Sequence, residues 1–313
     1  MLNLSQYSLM AGLFMVVVAV TCYILALTMG HSVRRAPAPA RATVGAGVGA
    51  SGGAGQDLNN DLDDLEDGER VKVHRPRTLA VYGTYFTWLA LLFLTATLVL
   101  RSIVVGHGPF GNQYEFSVSF GWGMVLAYVY FEHKYHVRTL ALLILPLTAG
   151  ILLYALSVGS TDNPLVPALQ NNLLLTVHVA VAIVAYGAFA VSFAAAVLYL
   201  IQPEEGRPGL PKPALLDEIG YRSVIIAFPL MTLVLVLGAV WASIAWGSYW
   251  SWDPKETASL LTWLVYGAYL HARVARGWTG RKAAWILIAA FGCVLLTFFG
   301  NLFFSGLHSY GNK

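Results

Sequence analysis

The chain has 313 residues, of which 57% are hydrophobic and 11% are charged, and its mean hydropathy is +0.64. Soluble domains carry about 25% charged residues, so the composition excludes a soluble globular protein and predicts a polytopic membrane protein. The formal net charge of +3 does not call for a nucleic-acid partner, because most of the basic residues are explained by orientation in a membrane.

Apolar segments long enough to cross a bilayer, which takes ~17–25 residues each, follow one another along the chain. We predict eight transmembrane helices and therefore an all-α protein. An even number of spans puts both termini on the same side of the membrane. The predicted spans are 7–30, 79–105, 117–132, 138–157, 173–201, 223–245, 257–274 and 283–304, and the third is the shortest.

Lysine and arginine are distributed unevenly between the two sets of loops that join these spans. Sixteen of the nineteen lie in one set, which consists of 31–78, 132–138, 202–222 and 273–282. The opposite set holds only Arg101, Lys255 and Lys313. Because cytoplasmic loops carry an excess of Lys and Arg, we predict that the first set is cytoplasmic and that both termini are extracytoplasmic.

The first 78 residues divide into two parts. Residues 1–30 are predicted to form the first transmembrane helix, because their apolar run is too long for a signal-peptide core and has no small-residue cleavage site. Residues 31–78 are rich in Gly, Ala and Pro and then acidic. Such a segment cannot offset the entropy of ordering, which predicts a flexible cytoplasmic linker. The remainder, 79–313, forms the main membrane domain.

His178 lies inside the fifth span, in "LLLTVHVAVAIVAYGAF", about a turn and a half from its outer end. A histidine within a span is costly and by default marks a functional site. His308 follows the eighth span on the same outer side, in "GLHSYG". Two imidazoles that approach the opposite faces of an iron would provide the axial ligands of a haem.

Residues 246–256 place three tryptophans, Trp246, Trp250 and Trp252, just ahead of Asp253 at the start of the seventh helix. Asp253 and Glu256 have the spacing of a helix-capping box, with a proline between them. Capping leaves the tryptophans unexplained. They are typical either of a membrane-interface belt or of an apolar surface for a planar ligand, for which we predict haem.

His271 is deeper in the seventh span. It lies 14 residues past Thr257, hence roughly 21 Å along the helix at 1.5 Å per residue. This distance is too long for His271 to share an iron with the outer pair. Either the side chain reaches water at the inner end of the helix, or it ligates a second haem whose other ligand belongs to a different chain.

Haem would also need polar partners for its propionates. At the outer face Arg101, Lys255 and Asn112 are the candidates. No residue has the context of a dedicated catalytic acid or base. Cys22 and Cys293 lie within spans and form no C-x-x-C pair, so the chain has neither a thiol redox motif nor a haem-attachment site of its own.

Several stretches between about 79 and 310 closely resemble the CcsA (ResC) family of system II cytochrome c biogenesis proteins, which carry a tryptophan-rich WWD segment. The outer loop around 106–122, "GHGPFGNQYEFSVSFGW", is similar to the same region of that family. The other stretches are "WGSYWSWDPKETASLLTWLVYGAYLHAR", "GWTGRKAAW" and "FFGNLFFSGLHSYG".

This resemblance implies that the chain handles haem b as a substrate, for covalent attachment to the CxxCH motif of apocytochrome c outside the cytoplasm. It implies a holocytochrome c synthase complex with CcsB (ResB), a thioredoxin-like thiol reductant pathway, and the inner membrane of a bacterium. His178 and His308 would ligate haem beneath the WWD segment. His271 would belong to a transmembrane haem site whose second ligand comes from CcsB.

Two alternative functions stand beside this interpretation. The first is a haem exporter or carrier of the CcmC type, which has a WWD segment between two histidines but no ligation activity. The CcsA family is favoured over the CcmC type by the eight predicted spans, by His271 and by the sequences of the motifs. The second is a transporter or assembly scaffold without haem, whose tryptophans form only an interface belt.

Overall fold

The computed structural model describes residues 2–34, 75–160, 169–170, 172–207 and 209–308. Within these ranges the chain is helical and has no strand, which confirms the predicted all-α class. Eight α-helices are present in the described part: α1 Leu2–Arg34, α2 Arg75–Val105, α3 Gln113–Tyr135, α4 Ala141–Val158, α5 Asn172–Leu200, α6 Pro213–Trp246, α7 Pro254–Arg276 and α8 Gly280–Phe299.

Six of these helices, all except α3 and α7, are long and apolar enough to cross a membrane. The chain is therefore a multi-pass membrane protein, as predicted. The segments 117–132 and 257–274, predicted as the third and seventh spans, are also helical. Charged residues near both ends of α3 and α7 lower their mean hydropathy. A count of eight spans and the side on which the termini lie stay predictions.

The first helix packs chiefly on the second. The Ser5 hydroxyl donates to the carbonyl of Thr97 at 3.3 Å, and the Ser8 hydroxyl donates to the carbonyl of Phe93 at 2.8 Å. Thus α1, predicted over 1–30 and observed to Arg34, is packed against the membrane domain. The predicted linker 31–78 is helical at its two ends, and residues 35–74 lie outside the described residues.

Helices α3 and α5 cross in close contact near their middles. A Cβ added to Gly123 would lie 2.7 Å from the carbonyl oxygen of Ile183, and one added to Gly187 would overlap the carbonyl of Gly123. Small residues let membrane helices approach to backbone contact. The crossing brings the aromatic side chains of α3 against the face of α5 that carries His178.

The end of the bundle opposite to His178 is held by an ionic cluster. Arg273 near the end of α7 lies 2.7 Å from Asp217 near the start of α6, and the Gly280 amide at the start of α8 donates to the same carboxylate at 3.1 Å. These helix ends border the basic loops 202–222 and 273–282, which are predicted to be cytoplasmic.

Candidate functional site

An aromatic cavity, called the outer cavity, opens between α3, α5, α6 and the start of α7, at the end of the bundle that the loop charges predict to face outwards. Its empty volume, including the open space at its mouth, is about 960 Å³. His178, Trp250 and His308 all line it. Three of the predicted site residues, which lie up to 130 positions apart in the chain, therefore share one cavity.

His178 lies on α5, six residues past the helix start. Its ring packs against Gly238 of α6, where an added Cβ would lie 2.9 Å from Cε1 of the imidazole. The backbone of Val234 is close to the ring, but Nδ1 is buried and has no hydrogen bond of acceptable geometry. Nδ1 therefore faces the backbone of α6, and Nε2 is the ring nitrogen left for a ligand in the cavity.

Asp253 joins the start of α7 to the segment that carries His308. Its carboxylate accepts from the Lys255 amide at 3.0 Å, from the Leu307 amide at 2.6 Å, and from Nδ1 of His308 at 2.8 Å. A Cβ at Gly306 would overlap the Asp253 carboxylate, so only glycine allows this approach. The predicted capping box is confirmed, and the same aspartate also holds the second histidine.

The electrostatics of Asp253 and His308 define which nitrogen of the His308 imidazole carries the proton. Burial alone would raise the pKa of the Asp253 carboxyl, but the hydrogen bonds from His308 and from the two amides outweigh it and lower that pKa to about 2. Burial lowers the pKa of His308, although the bond to Asp253 acts against this. An ionised carboxylate only accepts. Nδ1 of the neutral imidazole therefore donates, and Nε2 keeps the lone pair that a metal requires.

Trp246 supports His308 from the side. The two ring centroids are 4.8 Å apart at an interplanar angle of 76°, and Trp241 packs against both, at 4.7 Å from Trp246 and 5.7 Å from His308. Trp241 also lines the cavity and is 2% exposed. Two indoles at the end of α6 thus fix the orientation of the imidazole.

Trp250 and Trp252 occupy different environments. Trp250 lines the cavity, and its indole nitrogen is buried without a hydrogen-bond partner in the described structure. Trp252 is 69% exposed and meets Trp250 edge-on, with centroids 5.6 Å apart. The three predicted tryptophans do not form one continuous platform among the described residues, and contact of Trp252 with a ligand stays a prediction.

The turn that carries these indoles is held by Glu256. Its carboxylate accepts from the Ser251 amide at 2.8 Å, from the Ser251 hydroxyl at 3.1 Å and from the Asp253 amide at 3.2 Å. Trp252 between them has φ +59°, a left-handed conformation that is costly for a bulky side chain. Strain of this kind persists where the surroundings impose it, which is typical of functional sites.

Two of the three residues considered for the propionates are used elsewhere. Arg101 is buried and pairs with Glu115 at 2.9 Å, and the Asn112 side chain caps α3 by accepting from the Glu115 amide at 2.8 Å. Both fix the outer loop before α3 and do not line the cavity. Lys255, which precedes the predicted span 257–274, does line it. Burial lowers the pKa of Lys255 to about 8.

His271 lies apart from the cavity. It is sixteen residues beyond Lys255 on α7, roughly 24 Å along the helix axis, and its side chain is exposed. The described residues contain no group of three His, Cys, Asp or Glu side chains that could hold a metal ion. The structure thus separates His271 from the outer pair, as the spacing predicts, and its role as a ligand stays a prediction.

Trp241 and Gly238 also contribute to the site, although the sequence alone does not predict them. Trp241 lies five positions before Trp246 in the chain, but an indole near the end of an apolar span is also typical of an interface belt. Gly238 has no distinguishing sequence context, because only the packing of α5 on α6 makes it the neighbour of His178.

A family model described as cytochrome C assembly protein matches residues 110–308. The proteins named cytochrome c biogenesis protein CcsA from Guillardia theta and from Synechococcus elongatus are similar to this chain. The first is 36% identical over 258 residues, with 74% of this chain and 85% of the relative covered. The second is 35% identical over 287 residues, with 74% and 88% covered.

The solved structure of a cytochrome c haem lyase, CcmF, has a similar fold, with a TM-score of 0.59 at 20% sequence identity. The likeness covers 95% of this chain but 46% of that protein, so the chain spans about half its length. The matched family region contains the outer cavity, both of its histidines and the tryptophan segment. The chain belongs to the cytochrome c assembly protein family.

Proposed function

We propose that the chain holds haem b in the outer cavity and presents it for covalent attachment to the CxxCH motif of apocytochrome c. The observation that carries this proposal is the pair of histidines, His178 and His308, on the wall of one aromatic cavity. The relatives named cytochrome c biogenesis protein CcsA support the assignment to cytochrome c maturation. They favour it over a CcmC-like exporter without ligation activity.

The residues of the cavity suit haem in three respects. Two imidazoles supply iron ligands, and one of them has its tautomer set by Asp253. The walls from α3, α5 and α6 are aromatic and aliphatic, as a macrocycle requires. The indole nitrogen of Trp250 is buried and lacks a partner in the described structure, which is costly unless a ligand satisfies it.

Haem supplies two vinyl groups as the acceptors of the reaction. In each thioether bond, a cysteine sulfur of apocytochrome c binds one vinyl carbon and the thiol hydrogen ends on the adjacent carbon. The addition consumes no oxidant or reductant beyond those that keep the thiols and the iron reduced. The part of this chain is therefore positioning: His178 and His308 hold the iron, and the cavity walls orient the ring.

His271 is proposed to belong to a second, transmembrane haem site. Its exposure on α7 leaves room for a partner chain to supply the other iron ligand. We assign that partner as CcsB (ResB), so that the two chains together act as a haem lyase-type holocytochrome c synthase. A thioredoxin-like pathway would supply reduced apocytochrome thiols. The complex would lie in the inner membrane of a bacterium, with the cavity facing outwards.

The test is purification of the chain with and without CcsB, followed by a pyridine haemochrome spectrum and an assay of holocytochrome c formation. We expect stoichiometric haem b in the complex, and holocytochrome formation only when both chains are present. Haem without holocytochrome formation would favour the exporter. Absence of haem from both preparations would favour a scaffold whose tryptophans form only an interface belt.

A further inference from the structure

Lys255 places a cationic group inside the outer cavity, in the first turn of α7. It shares the cavity wall with His178 and His308. Its ammonium nitrogen lies 4.8 Å from the centre of the Phe116 ring of α3. Burial of an ammonium is costly unless an anion accompanies it, and the attraction of an aromatic face offsets only part of that cost.

The carboxylates nearest to Lys255 in sequence are already engaged by other groups. Asp253 accepts from two backbone amides and from His308. Glu256 accepts from the amide and hydroxyl of Ser251 and from the Asp253 amide. Among the described residues, the Lys255 ammonium forms no ion pair within 4.0 Å, so the chain leaves its charge to be balanced by a ligand.

Resting on the proposed function, we infer that Lys255 recognises a propionate carboxylate of haem and thereby fixes which edge of the ring enters the cavity. Haem carries its two propionates side by side on one edge. A propionate at Lys255 turns the vinyl-bearing edges away from the start of α7, which leaves them for the apocytochrome thiols. Lys255 is thus a positioning and specificity-determining residue, and its partner is an organic carboxylate.

The test compares haem with haem dimethyl ester, in which both propionates are neutral, by optical titration of the purified full-length chain. Wild type should bind haem roughly tenfold to a hundredfold more tightly than the ester, as expected for one charge-assisted hydrogen bond. Lys255→Met should lose this preference, because it should bind haem more weakly and bind the ester as wild type does. Lys255→Arg should retain most of the preference. Lys282→Met, at the opposite end of the bundle beside Trp278, is the matched control.

The outcomes separate this inference from the proposed function. If Lys255→Met weakens haem and ester equally, the side chain contributes packing and the carboxylate assignment is wrong. An unchanged preference for haem in that variant overturns the inference as well. If wild type binds haem through two histidines but does not discriminate against the ester, the inference fails while the proposed function stands. If wild type binds neither compound, both fail.

Discussion

Asp253 has two roles that its sequence context does not separate. As the N-cap of α7 it satisfies a backbone amide, a role that asparagine performs about as well. As the acceptor for Nδ1 of His308 it sets the tautomer and raises the basicity of the other ring nitrogen. The capping box is visible in the sequence. The contact with His308 is not, because it joins residues that lie 55 positions apart in the chain.

Asp253→Asn is therefore expected to spare the fold and to weaken the site. The variant keeps a capping oxygen but loses the charge that orients His308, so haem affinity should fall about 10–100-fold, the usual effect of losing the partner of a metal-bound histidine. The measurement is an optical haem titration beside thermal denaturation in detergent. Unchanged affinity would show that Asp253 serves only as a cap.

At the scale of helices, the sequence predicts where apolar segments lie better than where helices end. The sixth span is predicted over 223–245, whereas α6 runs over Pro213–Trp246. Its first turns carry Asp217 and Glu218, and hydropathy excludes such residues even though they continue the same helix. Their charges are used at the inner end of the bundle, where Asp217 pairs with Arg273.

The candidate site shows a similar contrast, between residues that stand out by their type and residues that matter only through packing. His178, His308 and the tryptophan segment were predicted because their residue types are unusual in apolar surroundings. Gly238 and Trp241 were missed because their importance comes from the packing of α6 against other elements. Arg101, one of the three candidate propionate partners, instead pairs with Glu115 fourteen residues away, a contact that residue type alone does not reveal.

Packing of α6 on α5 gives a prediction at this scale. Gly238→Ala should displace the His178 ring, because the added methyl carbon would lie 2.9 Å from it. Overpacking of this kind typically costs ~1–3 kcal/mol, so we expect weaker haem binding and a lower melting temperature. Gly150→Ala in α4 is the matched control, since its added Cβ meets nothing within 4 Å. Equal haem affinity in the two variants would contradict the proposed support of His178 by α6.

For the whole molecule, the two candidate haem ligand regions lie at opposite ends of α7. The outer end is built within this chain, from Asp253, His308 and the tryptophan turn. The inner end has the exposed His271 beside an ionic cluster that joins three helices. This asymmetry is expected if one chain completes the outer site alone and shares the inner site with a partner.

His271→Ala tests the shared site. In the complex with CcsB, the variant should lower the haem content while leaving the outer pair able to bind haem supplied from outside. His133→Ala, an exposed histidine at the end of α3, is the control and should match wild type. Haem per complex is the measurement. Matching values for the two variants would mean that His271 is only a surface side chain.

The proposed function depends most on the binding of one haem iron by both His178 and His308. The most direct measurement is the optical and electron paramagnetic resonance spectrum of the haem-loaded chain and its single histidine variants. We predict a six-coordinate, low-spin bis-histidine signature in wild type and its loss in both His178→Ala and His308→Ala. Added imidazole should restore it. The control is His107→Ala, which changes a histidine that lines a separate small cavity and should retain the signature. An unchanged bis-histidine spectrum in either His178→Ala or His308→Ala would contradict ligation of one iron by this pair.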